Sequence, residues 1–516
     1  MKKEPDGSLR FKARLVGKGC SQKFGIDYDE TYAPTVGFHT ALLLIHIAAR
    51  KNWVMWSMDI GNAYLEASAD KLLYMWLPFD YTEGQKIPVR IDGNLYGTKQ
   101  AAKLWNDLFD AVLEGFGFIK SIVEPCLYIY EGSDGIMWLI IYVDDGLVIA
   151  TSIDILNKLK TYLAKQFKSV KYQDIVRKFL GVRFVKALDE ATVHHPQPPT
   201  DSHDTPEYIW MSPEDEHYST RNLRGNNGCG FIQLTQDEYA METAITTLGK
   251  NDNKQAKVTP LPPNAEQLKD QKDGQEKPTW DMVGKLRYLV DRTRPDLAYA
   301  ASFLGRFTLK PTREQVLATE RTIRYAKATK DFTLSMGSQE QEIKLVAYAD
   351  AAFAKDDESK AQLGYCFFLS ADSGAVLWKS MKDKSVSLST TQAELHALVE
   401  CAKAIVWYRE LMKELGMEQI GPTVVYQDNE NVITLVNKIA NDNRTKYLIN
   451  RINFIRELVD NGIIVLTKVH TDLNVSDILT KALDRQKNIQ FSIQIRNGVN
   501  LDNYKSDVSY PLGNEK

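Results

Sequence analysis

Apolar positions fall into several distinct patterns along the chain. Residues 136–143 and 147–150 are continuous apolar runs, separated only by Asp144-Asp145-Gly146. Runs of this length suit strands buried on both faces, and Asp-Gly between two of them is a tight-turn signal. The pattern predicts a hairpin with two carboxylates at its tip. Trp53-Val-Met-Trp-Ser-Met58 predicts a strand that ends at Asp59, and Phe11-Lys-Ala-Arg-Leu-Val16 alternates as a strand does. Residues 40–50 predict a helix, and so do residues 99–116, where Leu104, Trp105, Leu108, Phe109 and Val112 recur at helical spacing. Residues 280–330 are helical in pattern, with basic residues at 313, 321, 324, 327 and 330. Beyond about residue 341 the pattern changes. Strands at 343–349, 363–369, 375–379, 423–427 and 463–469 are interleaved with a long helix over 391–415 and shorter ones. That succession predicts an α/β domain with a mixed sheet.

Composition narrows the class. The chain has 516 residues, 44 % hydrophobic and 25 % charged, enough for roughly three to five domains and a large core. A disordered protein, a collagen-like rod and a disulfide-dense miniprotein are excluded. Five cysteines (Cys20, Cys126, Cys229, Cys366, Cys401) form no CxxC pair, which favours free thiols in a reducing compartment. The longest apolar stretches, residues 41–49 and 136–143, are too short to span a bilayer. No hydrophobic segment follows the N-terminus, so neither a secretion signal nor a membrane partner is expected. The net charge of −3 excludes a strongly basic coat protein but not a locally basic channel. Residues 1–25 hold seven Lys/Arg against Glu4 and Asp6.

Residues 189–229 hold four of the eight histidines and prolines 196, 198, 199, 206 and 213. Such a stretch offsets little of its ordering entropy, so a disordered insertion is expected there rather than a metal-binding tract. Residues 251–281 form a second polar linker.

Two groups of carboxylates carry the candidate chemistry. Asp59 ends a strand, and Asp144 and Asp145 cap the hairpin. Three acids brought together resist ionisation unless a cation sits among them. Two Mg²⁺ ions about 3.5–4 Å apart activate an attacking hydroxyl and stabilise a leaving oxygen, and Mg²⁺ prefers one or two carboxylates plus substrate phosphates. Taken alone, Asp-Asp-Gly is more often a plain turn. The buried flanking strands and the preceding Tyr142-Val143 weigh against that.

Tyr142-Val-Asp-Asp145 resembles the catalytic hairpin of reverse transcriptases, and the surrounding motifs resemble those of copia-type long-terminal-repeat retrotransposons. Lys12-Ala-Arg-Leu-Val-Gly-Lys-Gly19 is similar to their fingers segment, Gly25-Ile-Asp-Tyr-Asp-Glu-Thr-Tyr-Ala-Pro34 to another family signature, and Met58-Asp-Ile-Gly-Asn-Ala-Tyr-Leu65 to the first palm motif. Leu95-Tyr-Gly-Thr-Lys-Gln-Ala101 with Trp105 resembles the template-and-nucleotide motif. Phe179-Leu-Gly-Val182 resembles the primer grip, and Thr293-Arg-Pro-Asp-Leu-Ala298 the connecting region. The resemblance implies Asp59, Asp144 and Asp145 as Mg²⁺ ligands, Tyr64 as the aromatic against the incoming sugar, and Gln100 as a nucleotide contact. It implies Lys12, Arg14 and Lys18 as contacts to triphosphate or template, and Phe179, Leu180 and Gly181 as primer contacts. Without it, Tyr64 is an ordinary core aromatic, Gln100 a polar residue at a helix start, and the three cations a solvated strand face.

The second group is Asp350, Glu394, Asp428 and Asp477. Each has a bland reading: Asp350 opens a turn, Glu394 completes a capping box with Thr391, Asp428 caps the next helix, and Asp477 lies on a solvated face. Tyr348-Ala-Asp-Ala351, Ser389-Thr-Thr-Gln-Ala-Glu394, Tyr426-Gln-Asp-Asn429 and Val475-Ser-Asp-Ile-Leu-Thr-Lys481 resemble the ribonuclease H domain of the same elements. That resemblance implies four acids holding two Mg²⁺ ions, with Mn²⁺ as an alternative, against the RNA of an RNA–DNA hybrid. In one departure, Tyr447 and Asn450 stand where relatives commonly place His and Asp.

The fold class expected is α+β. It comprises a right-hand polymerase, with an antiparallel palm sheet, a catalytic hairpin, fingers and a helical thumb or connection, followed by an α/β ribonuclease H-like domain with a mixed sheet. The expected boundaries are 1–188 for fingers and palm (truncated at the N-terminus), 189–229 for the insertion and 230–340 for thumb and connection. They continue with 341–485 for the ribonuclease H-like domain and 486–516 for a tail. Expected partners are an RNA template, a DNA primer or RNA–DNA hybrid, and deoxynucleotides. The nucleocapsid, protease and integrase portions of such polyproteins are absent from this sequence. By resemblance, the setting is intracellular, a cytoplasmic virus-like particle or the nucleus. The competing reading is a decayed or host-retained fragment that only binds nucleic acid or a partner; ribonuclease H activity alone is a third.

Overall fold

The computed structural model describes residues 14–78, 81–82, 84–186, 230–270, 274–340, 342–353, 360–438 and 447–499, with backbone only at 2–3 and 9–10. Lys12, the whole 189–229 insertion and residues 500–516 lie outside the described residues. The chain divides into two compact units: Met1–Gly37 with Trp53–Val176, and Phe38–Asn52 with Arg177–Lys516.

The first unit is built on a six-stranded antiparallel sheet. Its order is Val170–Gln173, Val54–Ile60, Asp145–Ala150, Gly135–Tyr142, Leu127–Gly132 and Ile119–Lys120. The two continuous apolar runs form its centre; Trp138, Leu139, Ile140, Leu147 and Ile149 are wholly buried. Helix Ala101–Phe116 contributes Trp105, Phe109 and Leu113 to the same core, and ends at Gly117, whose φ of 109° is open to glycine. A separate two-stranded ribbon pairs Ser68–Trp76 with Pro88–Gly93. Arg14 to Lys18 form no strand, against the alternation at 11–16. Leu15 and Val16 are about half exposed, and the segment is tied to its neighbour through Gly17 N to Tyr96 O at 2.7 Å and Gly19 N to Gly97 O at 3.0 Å. Alternation without a buried face or a partner strand does not make a ladder.

The second unit holds two sheets. One is antiparallel: Lys178–Phe179, Val182–Lys186, Phe231–Thr235 and Leu334–Gly337. Helix Phe38–Lys51 packs on its last two strands and is buried on all sides, from Ala41 to Ala49. The expected fingers-and-palm region 1–188 includes this helix, whereas the strands it packs on group it with the second unit. The helical pattern over 280–330 resolves into Trp280–Val290, Ala298–Leu304 and Arg313–Ala328, with Pro295 and Pro311 in the breaks.

The other sheet is mixed, in the order Leu377–Lys382, Gln362–Phe368, Val346–Ala352, Thr423–Gln427 and Ile464–Lys468. The first three strands are antiparallel and the last three run parallel to one another. The 25-residue helix Thr390–Glu414 packs across it. The fold is therefore α+β with an antiparallel sheet and a mixed one. The expected tail begins instead with helix Arg485–Asn497, because Phe491, Ile495 and Arg496 share one face and are buried. A fully buried ion pair anchors this region. Arg294 Nε and Nη2 donate to the two oxygens of Asp296 at 2.8 and 2.7 Å, and Tyr325 Oη adds a third bond at 3.2 Å.

Candidate active sites

In the first unit, register brings the acids together. Asp59 pairs directly with Asp145 across neighbouring antiparallel strands, a position at which Cβ atoms stand about 4.5–5.5 Å apart. Asp144 is held at the same strand end, its carbonyl accepting from Ile60 N at 3.0 Å. The turn is Val143-Asp144, two residues before the expected Asp145-Gly146. Tyr142 pairs with Asp145, and Val143 takes the left-handed conformation at φ 62°. That conformation is strained for a β-branched residue. The Trp105 indole N–H holds it, donating to Val143 O at 2.7 Å. Gly146 has no room for a side chain, since a Cβ there would lie 2.6 Å from the Met58 methyl carbon.

Tyr64 stands on the short helix Ala63–Glu66, half-buried, its ring 4.8 Å from that of Tyr96. Burial, and then the Asp144 charge, push both phenols above their ordinary pKa. Both rings therefore stand near the carboxylate cluster. Tyr96 carries no signal of this role in its spacing. Arg14 lies over the Tyr96 ring, 5.6 Å from its centre. Lys18 is exposed. Gln100 is 1 % exposed. It accepts from Gln22 Nε2 at 3.0 Å and donates to Asp27 O at 3.0 Å and Asp70 Oδ1 at 3.2 Å. Its amide ties a loop to a strand, and a nucleotide contact would have to break those bonds. Phe179, Leu180 and Gly181 belong to the second unit. Phe179 is buried, and Leu180 and Gly181 form the tip of a tight hairpin with φ of 46° and 79°. Tyr288 Oη and Arg292 Nε hold that tip through Leu180 O at 3.0 and 2.9 Å.

In the second unit the four bland readings fail one by one. Asp350 is inside strand Val346–Ala352, paired with Gly364 and 2 % exposed. A side chain at Gly364 would meet Thr480 Cγ2 at 2.6 Å, so the glycine lets the Thr480 loop approach and donate its hydroxyl to Asp350. The N-cap of the long helix is Ser389, whose Oγ accepts from Gln392 N at 3.2 Å, so Glu394 has no capping duty. Asn429, not Asp428, caps the helix Glu430–Asn437. Asp477 sits in a short 3₁₀ helix and is 1 % exposed.

Among the described residues, one group of three acids gathers its ligand atoms within 4.8 Å of one another: Asp350, Glu394 and Asp428. Glu394 Oε2 and Asp428 Oδ1 are buried without a hydrogen-bond partner. Burial, then the charges of Asp350 and Asp428, push the Glu394 carboxyl well above its usual range. Burial and Asp350 likewise raise Asp428, and they raise Asp477 to about 8. Unpartnered carboxylate oxygens that repel one another inside a protein are the donor set of a hard divalent cation. Lys481 approaches from the remaining side, 2.8 Å from Asp477 Oδ1 and 3.9 Å from Asp350 Oδ2. Burial opposes its charge, but those two acids hold its pKa above the ordinary value.

Residues 1–195 match the family model described as reverse transcriptase (RNA-dependent DNA polymerase). Over 500 residues the chain is 30 % identical to the retrovirus-related Pol polyprotein from transposon TNT 1-94 of Nicotiana tabacum, an alignment covering 94 % of this chain and 34 % of that protein. The chain is a homologue of the Pol polyproteins of plant copia-type transposons over most of its length. A second relative, the Pol polyprotein from transposon RE2 of Arabidopsis thaliana, is 28 % identical over 497 residues, covering 95 % of the chain and 31 % of the relative. The chain thus spans about a third of the length of these Pol polyproteins. Among solved structures, the foamy viral protease-reverse transcriptase in complex with dsDNA overlaps at a TM-score of 0.40 and 11 % identity, over 91 % of this chain and 76 % of that one. No helix among the described residues is long and apolar enough to cross a membrane.

Proposed function

We propose that the chain is an RNA-directed DNA polymerase joined to a ribonuclease H, with an RNA template, a DNA primer and deoxynucleotides as its substrates. The observation that carries the metal chemistry is the Asp350–Glu394–Asp428 trio, with its buried, unpartnered oxygens. The family match over residues 1–195 carries the polymerase. Asp59, Asp144 and Asp145 would hold Mg²⁺ at the first site; Asp350, Glu394, Asp428 and Asp477 would hold it at the second. Bound by those acids, the ions would supply Lewis acidity to the reaction.

The protein's own contribution is positional. The paired strands fix Asp59 against Asp145, and the strained turn fixes Asp144. The primer 3′-hydroxyl then attacks the nucleotide α-phosphate, and pyrophosphate leaves. The Tyr64 ring, backed by Tyr96, forms a wall beside the acids where the sugar would lie. At the second site, water attacks the RNA strand of a hybrid. Primer extension on an RNA template with Mg²⁺, beside cleavage of a labelled hybrid, tests the assignment. A folded chain that binds hybrid and does neither would replace it with a nucleic-acid-binding relic.

A further inference from the structure

Asp144 is held differently from the two acids beside it. Asp59 and Asp145 lie opposite each other in the strand ladder. Asp144 lies outside the ladder, in the two-residue turn between Tyr142 and Asp145. The peptide units on both sides of it are nevertheless tied. The Asp144 carbonyl accepts from Ile60 N at 3.0 Å, and the Val143 carbonyl accepts from Trp105 Nε1 at 2.7 Å. A peptide unit is planar, so fixing the Val143 oxygen fixes the plane that ends at the Asp144 nitrogen. The donor is itself well anchored. Trp105 is 3 % exposed on helix Ala101–Phe116, and its ring centre is 5.5 Å from those of Phe109 and Phe167.

Val143 needs the tie. Of the two turn residues it alone has a positive φ, 62°. Positive φ at the first central position only is the II′ pattern, in which glycine is the usual residue. A β-branched residue there gains by rotating back to negative φ, and that rotation would re-aim the Asp144 carboxylate. We infer that Trp105 is a positioning residue for nucleotidyl transfer: its indole N–H keeps Val143 in the strained turn and so holds Asp144 beside Asp59 and Asp145. The inference rests on the polymerase reading above and deepens it. An indole has one donor, and here the backbone occupies it, so Trp105 offers a nucleotide no hydrogen bond. Its effect falls on the chemical step and not on nucleotide binding.

The test is Trp105→Phe, which keeps a ring against Phe109 and Phe167 and removes the donor. On an RNA template, kcat for primer extension should fall roughly ten- to a hundredfold, the scale of an ångström's misplacement, with KM for the deoxynucleotide little changed. Hybrid cleavage, whose acids lie in the second unit, should persist. A second readout needs no catalysis. The Ile60 amide, whose acceptor is the Asp144 carbonyl, should exchange its hydrogen faster in Trp105→Phe, as followed by NMR. Both effects should be much smaller between Val143→Gly and Val143→Gly with Trp105→Phe, because glycine holds that φ unaided. Lost ring packing alone would act equally in both backgrounds, so an equal loss would overturn the inference. So would a folded Trp105→Phe with unchanged kcat or unchanged Ile60 exchange. Should Trp105→Phe not fold, replacing Trp105 with 3-benzothienylalanine, which has sulfur in place of the indole N–H and nearly the same shape, makes the same comparisons. An unsubstituted chain that extends no primer would overturn the polymerase reading, and the inference with it.

Discussion

Tyr64→Ala separates a sugar gate from a core residue. Tyr64 is only half-buried, and its ring packs on the Tyr96 ring at 4.8 Å. Losing one aromatic pair costs about 0.5–1.5 kcal/mol beyond area, so the stability loss should be ~1–2 kcal/mol. A fully buried aromatic would cost ~3–5 kcal/mol. The catalytic effect should be larger than the structural one. A ring under the incoming sugar leaves no space for a 2′-hydroxyl, so discrimination comes from a clash that the alanine removes. Relief of ~3 kcal/mol is about a hundredfold in relative kcat/KM. The assay is competitive incorporation of dATP and ATP on an oligo(U) template, with a melting curve on the same preparation. Tyr64→Phe keeps the ring and should keep the preference. An unchanged dATP/ATP preference in a folded Tyr64→Ala protein would refute the gate. A loss of ~4 kcal/mol, with both sugars failing together, would return Tyr64 to the core.

Other outcomes follow from the same geometry. Asp144→Asn with Asp145→Asn should abolish primer extension and spare hybrid cleavage, while Asp350→Asn with Asp428→Asn should do the reverse; loss of both activities in either folded variant contradicts two separate sites. Asp477 titrates near 8 when ion-free, and Glu394 and Asp428 are raised as well. Because these folded-state values lie above the unfolded ones, their contribution to stability is fully present below about pH 4 and is lost as pH rises toward 8. Mg²⁺ binds the deprotonated form and offsets that loss, so the rise in melting midpoint on adding Mg²⁺ should be greater at pH 8 than at pH 6, and an equal rise would contradict the cluster. Asp296→Asn leaves Arg294 buried without its bidentate partner and should cost about 3–5 kcal/mol in denaturant unfolding, much of it recovered when Arg294→Met and Asp296→Leu are combined; a change under ~1 kcal/mol would mean the pair is not desolvated.

What the sequence disclosed, and what it hid, divides by range. The hairpin that carries Asp144 and Asp145 was legible because both its strands are unbroken apolar runs, a local signal. Its turn was not, because the preference of Asp-Gly for a tight turn lost to a register in which Val143 accepts the strain and Trp105 holds it. The strands and long helix of the mixed sheet were placed within a few residues. The capping roles of Ser389 and Asn429 were not, since several neighbouring residues of the same type competed for each cap. Lys481 was visible as a residue four positions after Asp477, but the bridge to Asp350 depends on a residue more than a hundred positions away. Tyr96 and the buried amide of Gln100 depend on packing that no periodicity encodes.

Helix Phe38–Lys51 sets a schedule for synthesis. Eleven of its fourteen residues are buried, and among the strands that cover it Leu334–Gly337 is translated about 280 residues later. At ~5–20 residues per second, the helix leaves the ribosome about 15–60 s before its last covering strand exists. Throughout that interval Leu42, Leu43, Leu44, Ile45 and Ile47 have no native partner from that strand. The first unit, whose strands lie within residues 54–173, can meanwhile pair its own sheet. A nascent chain halted near residue 195 would carry the strands of one complete sheet beside an apolar helix that still lacks both of its covering strands.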